Sequence, residues 1–143
     1  LGRGEGKQQK VVVVPCHGLF HIKVYVDSGE LSMHHFQRSA DVPVGLPANM
    51  IQYAALTIMI AQVTGYRARE LVYTISDAHM YFTDDPKMDQ REDAYEMLQT
   101  IPEKLPILRV DPEIKDIREF RQEHFAVEDY YPKLERKRIW TPV

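Results

Sequence analysis

PCHGLFHIKVYVDSGELSMHHFQRSAD, residues 15–41, is the stretch whose reading decides the fold. Within it Phe20, Ile22, Val24 and Val26 alternate with His21, Lys23 and Tyr25. Side chains in a strand alternate between faces, so this period predicts a strand with one apolar face. Asp27-Ser28-Gly29-Glu30 reads as a turn, with glycine placed to supply a positive φ. Leu31 to Arg38 then returns as the second arm of a long hairpin.

Upstream, Val11 to Val14 is a β-branched run suited to a strand buried on both faces, and Pro15 ends it. Residues 1–10 read as a flexible leader or a severed connection, and residues 11–143 as one domain. The chain opens on Leu1 rather than Met, which leads us to expect a natural start further upstream. Downstream, Gly45-Leu46-Pro47 opens a helix, with Asn49 at or near its start. Asn49 to Val63 is apolar nearly all round, which predicts a buried helix, and Gly65 is its expected C-terminal stop. Leu71 to Ile75 predicts a strand, and His79 to Phe82 a further extended segment. Asp85-Pro86 signals another helix, amphipathic over Lys87 to Gln99. Leu105 to Val110 and Phe125 to Val127 are short strand candidates. The fold class is α+β, with the long hairpin at the centre of the sheet.

The chain has 44% hydrophobic and 27% charged residues, as in ordinary globular domains. A net charge of -3 gives no electrostatic reason to expect nucleic acid as a partner. The most apolar run, Ala54 to Val63, is too short to span a bilayer, so no membrane partner is expected. The single cysteine suits a reducing cytoplasm.

Four groups of residues could carry chemistry. Cys16 follows the strand-ending Pro15 and precedes His17 and Gly18; a thiol at a sheet rim can serve as a nucleophile, while a lone cysteine beside an apolar run is also a common small core residue. In Gln37-Arg38-Ser39-Ala40-Asp41, arginine and serine offer donors to an anion and Asp41 is an acceptor; an exposed salt bridge at a hairpin end is the alternative. The amide of Asn49 matches the O4 and N3–H edge of uracil, and would serve equally as a helix N-cap. His79 and Tyr81 would share a strand face and could hold a ribose hydroxyl, or simply form a cross-strand polar pair. His17, His21, His34 and His35 suggest a metal cluster at first sight. Residues four apart in a strand lie roughly 13 Å from each other, whereas imidazoles must approach one ion to about 2 Å, so no metal site is expected.

Taken in order, these groups resemble the thymidylate synthases. The family's Pro-Cys-His stands here as Pro15-Cys16-His17, its Gln-Arg-Ser-Ala/Cys-Asp as residues 37–41, its Gly-Leu/Val-Pro-Phe-Asn as Gly45-Leu46-Pro47-Ala48-Asn49, and its Gly-Asp-Ala/Thr-His-x-Tyr as Ser76-Asp77-Ala78-His79-Met80-Tyr81. The resemblance implies a mixed sheet with a long hairpin and a buried central helix, one sheet face forming a homodimer interface. It implies reductive methylation of deoxyuridylate (dUMP) with 5,10-methylenetetrahydrofolate as co-substrate. Cys16 would attack C6 of the uracil, with Arg38, His17 and Asn49 assisting catalysis. Arg38, Ser39, Ala40 and Asp41 would line the dUMP site together with Asn49, His79 and Tyr81. Asp41 would also bind the folate pterin, and Tyr130 would be a further ribose contact.

The chain departs from the family pattern at Ala48 and Ser76, at Thr83-Asp84 where Asn-His is usual, and at Tyr130-Tyr131-Pro132-Lys133-Leu134. No match to the family's N-terminal arginine pair, tryptophan region or general-acid glutamate precedes Cys16. Two other functions therefore stand beside methylation: pyrimidine-nucleotide hydroxymethylation, and silent nucleotide binding.

Overall fold

Alternation and turn chemistry produce the expected hairpin. In the computed structural model, which describes residues 15–101, 104–134 and 138–141, β1 runs His17–Tyr25 and β2 runs Glu30–Asp41. Gly29 closes the turn at φ 66°, donating its N–H to the Val26 carbonyl at 3.2 Å. Val26, expected in the strand, belongs to this turn. The proposed leader and the Val11–Val14 strand lie outside the described residues.

β2 extends past its expected end because it has a second partner. After helix α1 (Gly45–Val63), strand β3 (Arg67–His79) pairs with it in parallel. The strand expected at 71–75 thus runs from Arg67 to His79, and residues 80–82 of the further segment lie beyond its end. The sheet is mixed, in the order β1-β2-β3. The expectation of a hairpin at the sheet centre needs correcting: among the described strands β2 is central and β1 is an edge.

α1 begins four residues before Asn49, with Val44 as N-cap and no side-chain cap, so Asn49 sits inside the helix. Its other end follows the sequence signal. Gly65, at φ 75°, donates to the Gln62 carbonyl and Tyr66 to the Ala61 carbonyl, the paired bonds of a Schellman stop.

The expectation of a buried helix also needs correcting. Only Thr57 and Ala61 of α1 are buried, and Ile51 is 67% exposed. The helix lies on β2 and β3 and has no comparable packing on β1. One of its faces is therefore uncovered among the described residues, as are Phe20 (46% exposed) and Val24 (38%) on the α1 side of β1. At 19 residues and mean hydropathy 1.2, α1 satisfies the length and composition of a membrane span. Its polar groups are nevertheless used as in a core helix: Gln62 Nε2 donates to the carbonyls of Asp111 and Ile114, and Thr57 bonds Tyr53 O and Met33 Sδ.

The second helix is shorter than expected. A 3-10 turn spans Pro86–Met88, the chain extends at Asp89, and α2 covers Arg91–Gln99. The acids impose the break. Asp85 accepts from the Lys87 N–H, and Asp89 accepts from the Arg91 N–H while gripping its guanidinium. That grip holds the Asp89 carboxyl down at about 2. The short strands β4 (Ile107–Val110) and β5 (Phe125–Glu128) form a separate antiparallel pair.

Candidate active site

The mixed sheet brings the motifs together. Antiparallel pairing sets His17 opposite Gln37, and parallel pairing sets Ser39, Ala40 and Asp41 opposite Asp77, Ala78 and His79. The cleft they border has a volume of about 430 Å³, within the range of small-molecule sites. Pro15-Cys16-His17, Gln37 to Asp41, Asn49, His79 and Tyr81 all line it.

Cys16 is half-buried at the cleft wall. Between His17 and Phe20 the hairpin register slips, three steps on β1 facing two on β2 from Gln37 to His35, so the strand bulges just after the thiol. Gly18 permits this, because a Cβ there would lie 2.8 Å from the Phe36 carbonyl oxygen. Arg38 holds the other side of the loop: its N–H donates to Cys16 O at 2.9 Å and its Nε to Pro15 O at 3.1 Å.

Asn49 is oriented by a chain of forced assignments. Gln37, 3% exposed, donates from Nε2 to the Ser39 carbonyl at 2.8 Å. A carbonyl only accepts, so that side of the Gln37 amide must be nitrogen. The same Nε2 donates to Asn49 Oδ1 at 3.1 Å, which fixes the Asn49 amide as well. On its other side Gln37 Oε1 accepts from the Tyr73 hydroxyl. Burial, and then the neighbouring Tyr53, push the Tyr73 phenol up, so it keeps the proton it donates. Gln37 and Tyr73 are thus supporting residues; Gln37 was visible in its motif, whereas Tyr73 carried no signal in the sequence.

Nε2 of His79 lies 3.1 Å from the Tyr81 hydroxyl, although Tyr81 lies beyond the end of β3 and not on a shared strand face. Nδ1 of His79 faces Asp77 Oδ2 at 3.2 Å, and Ser39 Oγ donates to the same carboxylate oxygen at 3.3 Å. Asp41 Oδ2 accepts from Gln90 Nε2, while its Oδ1 is buried and has no partner among the described residues. Tyr130 is not brought to this cleft. It is 66% exposed and lines a separate groove with Met97 and Leu105.

His21 pairs across the hairpin with His34, and no group of three or more ligating side chains is assembled among the described residues. His35 is fully buried, stacked on Tyr53 at 3.6 Å between ring centroids, and neither ring nitrogen has a partner among the described residues. Burial lowers its pKa below 6.5, and His17, with ring centroids 5.8 Å apart, lowers it further; the Leu19 backbone opposes weakly.

A histidine harder to protonate when folded contributes stability that is present above its ordinary pKa and lost as pH falls through it. Urea midpoints should therefore fall from pH 7 to 5. His35→Leu should flatten that slope by up to about 1.4 kcal/mol per pH unit for the one proton. An unchanged slope would show that His35 does not carry the effect.

In comparison with known proteins, the family model described as Thymidylate synthase matches residues 5–139.

Proposed function

This chain belongs to the thymidylate synthase family, and from that premise we propose that it reductively methylates dUMP to dTMP, with Cys16 as the nucleophile. The observation that carries this reading is the convergence of a thiol, a guanidinium, an oriented amide and an imidazole–phenol pair in one cleft. Methylenetetrahydrofolate, as second substrate, supplies the one-carbon unit and the hydride that reduces it.

Addition of the Cys16 thiolate to C6 of uracil moves the C5–C6 electron pair toward C5 and O4, which makes C5 the nucleophile for the incoming carbon. Asn49 is suited to that electron shift. With Gln37 holding one lone pair of Oδ1, the other can accept N3–H while Nδ2 donates to O4. Loss of the C5 proton lets the bond from the new carbon to the folate nitrogen break; hydride from the tetrahydrofolate then reduces the resulting exocyclic methylene to methyl as the sulfur returns as thiolate, leaving dTMP and dihydrofolate. Arg38 and Ser39 would hold the phosphate, with the backbone at Ala40 lining the wall. Tyr81, accepting from or donating to His79, would meet the 3′-hydroxyl. Oδ1 of Asp41, buried and without a partner among the described residues, is an acceptor that fits the N–H groups of a pterin. An amide at residue 49, rather than a carboxylate, favours uracil over cytosine.

The test is covalent capture. Incubated with 5-fluoro-dUMP and methylenetetrahydrofolate, the native protein should gain the mass of both ligands on the peptide that contains Cys16. No adduct, alongside an active control enzyme, would sink the proposal.

A homodimer belongs to the same reading. The sheet face turned away from α1 carries His34, Phe36, Val72 and Thr74, with Phe36 and Val72 exposed. A second copy stacked on that face would cover them. Light scattering should give twice the protomer mass, and a monomer at micromolar concentration would count against it.

A further inference from the structure

Gln90 is fully buried, lies outside every motif, and joins three parts of the chain. Its Oε1 accepts from the Tyr81 N–H at 2.8 Å, and its own N–H donates to the Tyr81 carbonyl at 3.0 Å. A backbone N–H only donates, so the amide oxygen is fixed on that side and the nitrogen on the other. Nε2 then donates to two acceptors, Asp41 Oδ2 at 3.1 Å and the Trp140 carbonyl at 2.9 Å. The Trp140 indole also packs edge-on to the Tyr81 ring, 6.1 Å between centroids. One amide thus ties the C-terminal segment to the cleft carboxylate, whose second oxygen is the buried acceptor without a partner among the described residues.

We propose that Gln90 is a positioning residue for the second substrate: by holding Asp41 Oδ2 and the Trp140 carbonyl on one nitrogen, it presents Asp41 Oδ1 to the pterin and makes that presentation depend on the docked C-terminal segment. The inference rests on the assignment of Asp41 to the folate. With Oδ2 occupied, the carboxylate cannot rotate to satisfy Oδ1 internally, so that oxygen is left for a ligand donor. Loss of the Trp140 contact would leave Nε2 with one acceptor and loosen the arrangement.

Gln90→Glu is the informative variant. It keeps the acceptor for the Tyr81 N–H and replaces the double donor with a carboxylate oxygen facing two acceptors. At pH 8 the KM for methylenetetrahydrofolate should rise about tenfold or more, the loss expected when a charged hydrogen bond becomes a like-charge contact. The dUMP dissociation constant should stay within about twofold, because the bond to Tyr81 survives. As pH falls, one proton shared by the introduced carboxyl and Asp41 would restore a donor, so the folate defect should shrink.

An unchanged folate KM overturns the proposal, and so does an equal, pH-independent loss for both substrates, which marks a purely structural role. Gln90→Met provides a readout that does not depend on turnover: amide exchange in the peptide bearing Trp140 should accelerate, and unchanged exchange overturns the link to the tail. Asp41→Asn separates the two levels. If it leaves the folate KM untouched, the folate assignment fails and Gln90's role fails with it. If it raises the KM while Gln90→Glu does not, only the role of Gln90 fails.

Discussion

Turnover of the Cys16→Ser protein falls on the order of 10⁴-fold or more, and the covalent complex with 5-fluoro-dUMP disappears. Serine is close to isosteric with cysteine, so the bulge after residue 16, the Gly18–Phe36 approach and the bonds from Arg38 to Cys16 O and Pro15 O all survive the exchange. What changes is the nucleophile. A thiol has an ordinary pKa of about 8.5, whereas an aliphatic hydroxyl stays protonated at neutral pH. Binding of dUMP should therefore remain within about threefold while chemistry stops, because the phosphate, base and sugar contacts are supplied by other residues. Intact-mass spectrometry and single-turnover kinetics check the two halves. An adduct that persists in the serine variant would remove Cys16 from the role of nucleophile.

Arg38→Ala is expected to weaken dUMP binding by about 10- to 100-fold, the range for losing a charge-assisted hydrogen bond or a pair of them. Deoxyuridine has no phosphate and should lose far less. Calorimetric titration with both ligands makes the comparison; equal losses would take Arg38 out of the phosphate site. The same substitution should also lower kcat. Arg38 Nε holds the Pro15 carbonyl, so its removal frees the segment that presents the thiol. Arg38→Lys sharpens this point. It keeps a positive charge but not the planar fork that reaches Pro15, so it should recover dUMP affinity better than kcat.

Local signals were accurate where local geometry sufficed. The turn at Gly29 and the helix stop at Gly65 both fall where glycine was placed for positive φ. The four motifs were legible as residue types in order, and their family match covers residues 5–139. Their meaning was not settled locally. Asn49 could have been an N-cap until the helix was seen to begin at Gly45. The acids at 85 and 89 shorten the second helix by competing for its first N–H groups, a choice that amphipathic spacing cannot reveal.

By itself, then, the sequence determined the hairpin, the stop of α1 at Gly65 and the inventory of reactive groups around Cys16, because these follow from dihedral preference and side-chain alternation over a few residues. Only the tertiary structure decided that β2 has β3 as a parallel partner, which sets Asp41 beside His79. It alone left one side of α1 uncovered among the described residues, and it alone placed Gln90 against Asp41, 49 residues away. The physical reason is that a parallel register and a buried amide's partners depend on which distant surfaces pack together. No local pattern encodes that, and in this protein it is what turns separate motifs into one cleft.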